Sequence, residues 1–139
     1  MSILNWSEHL AIDDGVMDAT HREFVEYLNR MGSLEGEVLL ALLDEFIAHT
    51  ESHFGQELRW MEALEFPPTS CHVDEHNSVL EICREVRKRV ENGDTGFGEI
   101  LARAVAQWFE KHVASMDTVL SMFMKEHGYE PDRSPHSSH

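Results

Sequence analysis

The chain has 139 residues, 42% of them hydrophobic, which suits one globular domain with its own core and excludes a disordered polymer. Eleven Lys and Arg against 26 Asp and Glu give a formal net charge of −15, which argues against nucleic acid and anionic membrane as partners, since both select a basic surface. Ten histidines are many for this length and are the first functional hint.

Residues 1–17 read as an N-terminal arm, with Trp6, Leu10 and Ile12 as apolar anchors and a turn at Asp13-Asp14-Gly15. The start lacks the basic residues and long apolar run of a signal peptide, and the longest apolar run, Val38 to Leu43, is far too short to cross a membrane. A first helix is expected from Asp18 to Met31, where His21, Phe24, Val25 and Leu28 recur on one face. Gly32-Ser33 and Gly36 break it. The second runs from Glu37 to Leu64, its stripe made by Leu39, Leu42, Leu43, Phe46 and Ile47, then His53, Glu57, Trp60, Met61 and Leu64. Phe66-Pro67-Pro68 stops it, because proline cannot continue a helix, and Thr69 or Ser70 offers an N-cap to the next. The third runs from Cys71 to Glu91, with His72, His76, Val79, Leu80, Cys83, Val86 and Val90 facing inward, and Asn92-Gly93-Asp94 ends it. The fourth extends from Gly98 to His127-Gly128, with Leu101, Ala104, Val105, Trp108, His112, Met116, Val119 and Phe123 as its core face. The tail after it has two prolines, three serines and no apolar stripe, and is expected to be flexible.

Four amphipathic helices joined by short turns predict an all-α fold, an antiparallel up-down-up-down four-helix bundle with an N-terminal arm. The domain is expected to fill residues 1–128, with 129–139 as tail. Cys71 and Cys83 on one helix would stand about 18 Å apart, too far for a disulfide, so reduced thiols and a cytoplasmic setting are expected.

Titratable side chains interrupt every apolar stripe. The first helix carries His21, the second His53 and Glu57, the third His72 and His76, the fourth His112 and Asp117. A spacing of four puts two side chains on one face, about 6 Å apart along the axis, which suits ligands of one metal or of neighbouring metals. Taken singly, each has an ordinary reading: a hydrogen-bonded histidine, a solvated His–Glu pair, a chance pair in a histidine-rich chain. Together they are seven ionisable groups on the core stripes of four helices, and unpartnered burial of so many would be prohibitive. A pair of divalent or trivalent cations removes that cost. The step from His112 to Asp117 is irregular, since five residues turn an α-helix by about 140° beyond one full turn, so either Asp117 reaches round or the helix carries a π-type bulge there.

The order His, His-Phe-x-x-Glu, His-x-x-x-His, His-x-x-x-x-Asp resembles the hemerythrin family. Asp18-Ala19-Thr20-His21, His53-Phe54-Gly55-Gln56-Glu57 with Met61, and Trp108-Phe109-Glu110-Lys111-His112 carry the likeness, and Trp6 followed by Ile12 and Asp13 resembles the arm of its bacterial single-domain members. The resemblance covers residues from about 6 to 127. It implies two iron ions: His72, His76 and His112 on one, His21 and His53 on the other, with Glu57 and Asp117 bridging both beside a solvent-derived oxo or hydroxo group. The first iron would be six-coordinate, and the second would keep one position open for dioxygen. Trp108, Met61, Phe24 and Val25 are expected to wall that pocket, with core packing as their ordinary role.

The implied function is reversible dioxygen binding for carriage, storage or delivery, by a protein that is not an enzyme and is expected to be a monomer. The alternatives are an oxygen, redox or nitric oxide sensor, or a diiron enzyme handling peroxide or nitric oxide. The chain contains no Glu-x-x-His, the pair that ferritin-like diiron oxidases use. It departs from many relatives at Leu58, where a second glutamate is common, and that position turns away from the ligand face. His49, one turn before His53, can be a hydrogen-bond partner behind the ligands, an alternative ligand or a packed neutral histidine, with the first and last favoured. Cys71 can be an oxidation target or simply a helix-start residue. His9, His127, His136 and His139 look peripheral.

Overall fold

The computed structural model describes residues 15–129, so the body of the expected arm and the tail from residue 130 lie outside the described residues. Helix α1 spans Gly15–Met31, α2 Gly36–Ala63, α3 Thr69–Glu91 and α4 Phe97–His112. A π turn, Val113–Asp117, joins α4 to α5, Thr118–Glu126, so that the three form one continuous fourth rod. Among the described residues there are helices and short connections, and no strand. Contacts run α1–α2, α2–α3, α3–α4 and back from α4 to α1, closing the ring of an antiparallel four-helix bundle.

Helix boundaries follow local chemistry. Gly15 to Met17, expected in the arm, open α1, and Met17 is wholly buried. After α3, Gly93 takes the left-handed conformation (φ 96°) that glycine adopts freely, while Gly93 N–H donates to Val90 and Asp94 N–H to Arg89, capping the last carbonyls. Helix α2 ends the same way at Glu65 (φ 52°), where Phe66 N–H donates to the Met61 carbonyl at 2.9 Å. The expected N-cap at Thr69 or Ser70 is corrected: Pro68 precedes the first helical residue, and the Thr69 hydroxyl donates backward to the Phe66 carbonyl at 2.6 Å. Gly98 lets α4 begin hard against α1, since a Cβ there would stand 2.6 Å from the Met31 carbonyl oxygen.

The core has two parts. One cluster, including Phe24, Leu28, Leu43, Phe46, Cys83, Val105 and Phe109, fills most of the bundle. A smaller one, Met17, Trp60, Met61, Phe66, Leu120 and Met124, closes one end. On α3 the buried residues are the seven expected from the sequence. On the fourth rod they are not: before His112, Ala104 is exposed and Trp108 only half-buried while Ala102, Ala106 and Phe109 are buried, and beyond it the buried positions are Val113, Asp117, Leu120, Ser121 and Met124, while Val119 is exposed and Met116 and Phe123 are only half-buried. Asp117, Leu120 and Met124 each lie one residue beyond the expected Met116, Val119 and Phe123. The π turn holds an extra residue, and everything after it rotates by one position.

Candidate metal centre

Between the two apolar clusters the four rods present seven ionisable side chains to one another. Helix α1 supplies His21, α2 His53 and Glu57, α3 His72 and His76, α4 His112, and the π turn Asp117. All seven are buried, none more than 6% exposed. The regular α-helical spacing of four aligns the α2 and α3 pairs. The π turn accounts for the irregular pair, swinging Asp117 onto the face that His112 occupies. Of the two possibilities the sequence left open, the helix takes the bulge.

Each carboxylate divides its oxygens between two groups of imidazoles. Glu57 Oε2 lies 2.8 Å from His53 Nε2, and Glu57 Oε1 lies 3.0 Å from His72 Nε2 and 3.5 Å from His76 Nε2. Asp117 Oδ2 lies 3.1 Å from His21 Nε2, and Asp117 Oδ1 lies 3.2 Å from His72 Nε2 and 3.1 Å from His112 Nε2. Donor atoms of Glu57, His72, His76, His112 and Asp117 all fall within 4.8 Å of one another, and so do those of His21, His53 and Glu57.

These contacts are close without being hydrogen bonds. Both Glu57 oxygens, Asp117 Oδ1, His21 Nε2 and His72 Nε2 are buried with no hydrogen-bond partner among the described residues. His76 Nε2 and His112 Nε2 face each other at 3.1 Å, where at most one can donate. Convergent lone pairs left unsatisfied in a dry interior are costly, and a cation among them satisfies all of them at once. The donor set therefore fits a metal pair.

The charges are strongly coupled. Burial, with the neighbouring Asp117 charge, pushes the Glu57 carboxyl up, but the imidazoles of His53 and His72 outweigh both and hold it well below the usual carboxylate range. Burial pushes Asp117 up as well, and His112, His21 and His72 hold it well below its ordinary value. Burial alone would lower His72, yet Asp117 and Glu57 raise it to about 9. Burial takes His76 down to about 3, with His112 and His72 adding to the effect against Glu57.

The surroundings are aromatic. Phe109 meets the His21 ring edge-on at 5.1 Å and stacks on Phe24 at 4.6 Å. Phe54 lies flat on His76 at 3.6 Å, and Trp108 stacks on His112 at 4.5 Å. Trp108 thus covers the three-histidine side, and Phe109, absent from the expected wall, covers His21. The sequence stripe also missed Phe54 and Glu75, whose Oε1 lies 2.9 Å from His112 Nδ1. The adjacency of Phe54 to His53 and of Glu75 to His76 was the only available signal.

His49 joins neither donor group. It is half-buried, 3.4 Å from Glu23 and ring-to-ring with Tyr27 at 5.3 Å, and burial lowers its pKa. Leu58 packs on the smaller apolar cluster, away from the ligand face. Cys71 is exposed on the first turn of α3 and Cys83 is buried, both as free thiols. His127 is exposed and pairs with the Phe123 carbonyl; His9, His136 and His139 lie outside the described residues.

Known proteins are similar to this chain. The family described as "Hemerythrin HHE cation binding domain" matches residues 13–123. A bacteriohemerythrin of Ralstonia nicotianae is 41% identical over 92% of this chain and 93% of its own length. One from Stenotrophomonas maltophilia is 27% identical over 91% of this chain and 85% of its own. A crystal structure of a leucine-to-phenylalanine mutant, 20% identical, superposes with a TM-score of 0.76 over 86% of this chain and 95% of that one, a likeness of fold.

Proposed function

The chain belongs to the hemerythrin family, and from that membership we propose that it binds dioxygen reversibly at a non-haem diiron centre, carrying, storing or delivering oxygen without acting as an enzyme. The observation that supports the reading is the division of Glu57 and Asp117 between two imidazole groups. With a cation in each group, these carboxylates would bridge the pair. His72, His76 and His112 would complete one side, and His21 and His53 the other. An oxo or hydroxo bridge would leave the second side one donor short, and dioxygen is expected there.

Bound iron would supply the electrons that reversible dioxygen binding requires. The chain supplies the rest. Five imidazoles and two carboxylates are a donor set suited to iron. Phe109 and Phe24 keep water from the His21 side, which slows loss of the oxygen-binding form. Among the described residues no helix is long and apolar enough to cross a membrane. A cytoplasmic monomer that passes oxygen to a partner is the setting we propose, and the free thiols support a reducing compartment.

The test is direct. The purified protein is analysed for metal, reduced without air, exposed to oxygen and followed by visible absorption. Two irons per chain are expected, with a charge-transfer band that appears with oxygen and vanishes when oxygen is removed. One iron per chain, or zinc, would defeat the dinuclear reading. Rapid irreversible oxidation without the band would favour the sensing or enzymatic alternative.

A further inference from the structure

We infer that Glu75 is a positioning residue of the centre, acting through His112; the inference rests on the diiron reading above. His112 faces a carboxylate at each ring nitrogen. Its Nε2 points into the donor cluster, 3.1 Å from Asp117 Oδ1. A cation at Nε2 leaves the ring proton on Nδ1, and that N–H then donates to Glu75 Oε1 at 2.9 Å. Trp108 lies almost parallel to the ring, with an interplanar angle of 15°, and fixes its plane. By contrast, Nδ1 of His21, His53 and His72 is buried with no hydrogen-bond partner among the described residues.

A carboxylate behind an imidazole does two things. It fixes the tautomer that offers Nε2 to the metal, and it makes the imidazole a stronger donor, which favours the more highly charged metal state. The location adds a third effect. His112 is the last residue before the π turn, so whatever holds its ring also holds the start of the segment that delivers Asp117. Glu75 itself is about 39% exposed, at the rim of the bundle. An ordinary rim ion pair contributes little, and the experiment must separate that case from positioning.

Glu75→Ala, Glu75→Gln and, as a control removing the same charge from an exposed site on α3, Glu81→Ala are compared with the parent, all loaded with iron. Two quantities are read: iron retained against a competing chelator, and the midpoint potential of the loaded protein. Glu75→Ala is expected to hold iron about 10- to 100-fold more weakly and to shift the potential upward. Glu75→Gln, whose amide oxygen still accepts the Nδ1–H, is expected to retain iron nearly as the parent does while its potential still rises. Should Glu75→Ala fold poorly, the potential of Glu75→Gln decides alone. Glu75 variants matching Glu81→Ala in both quantities would overturn the role of Glu75. A parent that holds no iron would overturn the diiron reading and this inference together.

Discussion

At the His21 ring the protein offers carbon rather than water. Phe109 stacks on Phe24 and makes a T-shaped contact with the imidazole, while Trp108 lies against His112 on the other side of the cluster. Access of solvent to the His21 side is therefore governed by Phe109 more than by Trp108. Phe109→Leu keeps an apolar residue there but thins the wall. It is expected to speed decay of the oxygenated form several-fold, with Trp108→Ala having the smaller effect. Decay rates followed by the visible band check this, and an equal or reversed ranking would count against the assignment. The convergence of the seven ionisable residues was legible because such groups on apolar stripes have no inexpensive explanation but a shared partner. Phe109 and Trp108 both stand about a turn before His112, and only the rotation of the rod decides which meets His21.

The π turn is the element on which the site depends, and its own residues stabilise it. A turn of five residues disturbs the regular ladder of carbonyls, and two hydroxyls supply bonds there. Thr118 Oγ1 donates to the Val113 carbonyl at 2.7 Å, beside the Thr118 N–H that reaches the same oxygen. Ser115 Oγ donates to the Lys111 carbonyl at 2.6 Å. Thr118→Val keeps the shape and removes one such bond, so a loss of about 1 kcal/mol is expected. Because Asp117 is the adjacent residue, iron content should fall as well. Denaturant unfolding and metal analysis of the variant check both. Unchanged stability and iron content would show that the backbone alone holds the bulge. The helices α1 to α3 were readable almost residue by residue, since an unbroken 3.6 period carries the phase from end to end. The fourth rod was readable only in part: Leu101, Val105 and His112 are buried as expected, but Ala104 is exposed and Trp108 half-buried beside the buried Phe109, and beyond His112 the expected face is lost. A period cannot announce where it will slip, and the five-residue step to Asp117 was the one sign that it does.

Across the whole molecule the polar layer lies between two apolar ones, Phe24 to Phe109 on one side and Met17 to Met124 on the other. The apolar layers join all four rods without help from the centre, so the metal-free chain should remain helical. It should nevertheless be much less stable. Without cations, Glu57 and Asp117 stay fully buried among imidazoles whose lone pairs converge, a cost that the apolar layers must offset. A ligand that binds only the folded state, present at about a thousand times its Kd, contributes about 4 kcal/mol. In a domain of this size each kcal/mol moves the thermal midpoint by about 4 °C, so stripping the metal should lower it by about 15 °C or more. Circular dichroism of loaded and chelator-treated protein at one pH and ionic strength measures both halves of the claim. Loss of the helical signal at room temperature after chelation would mean that the apolar layers do not suffice. A midpoint unmoved by chelation would mean that the seven donors balance one another without a metal, and would undercut the argument from their unsatisfied lone pairs.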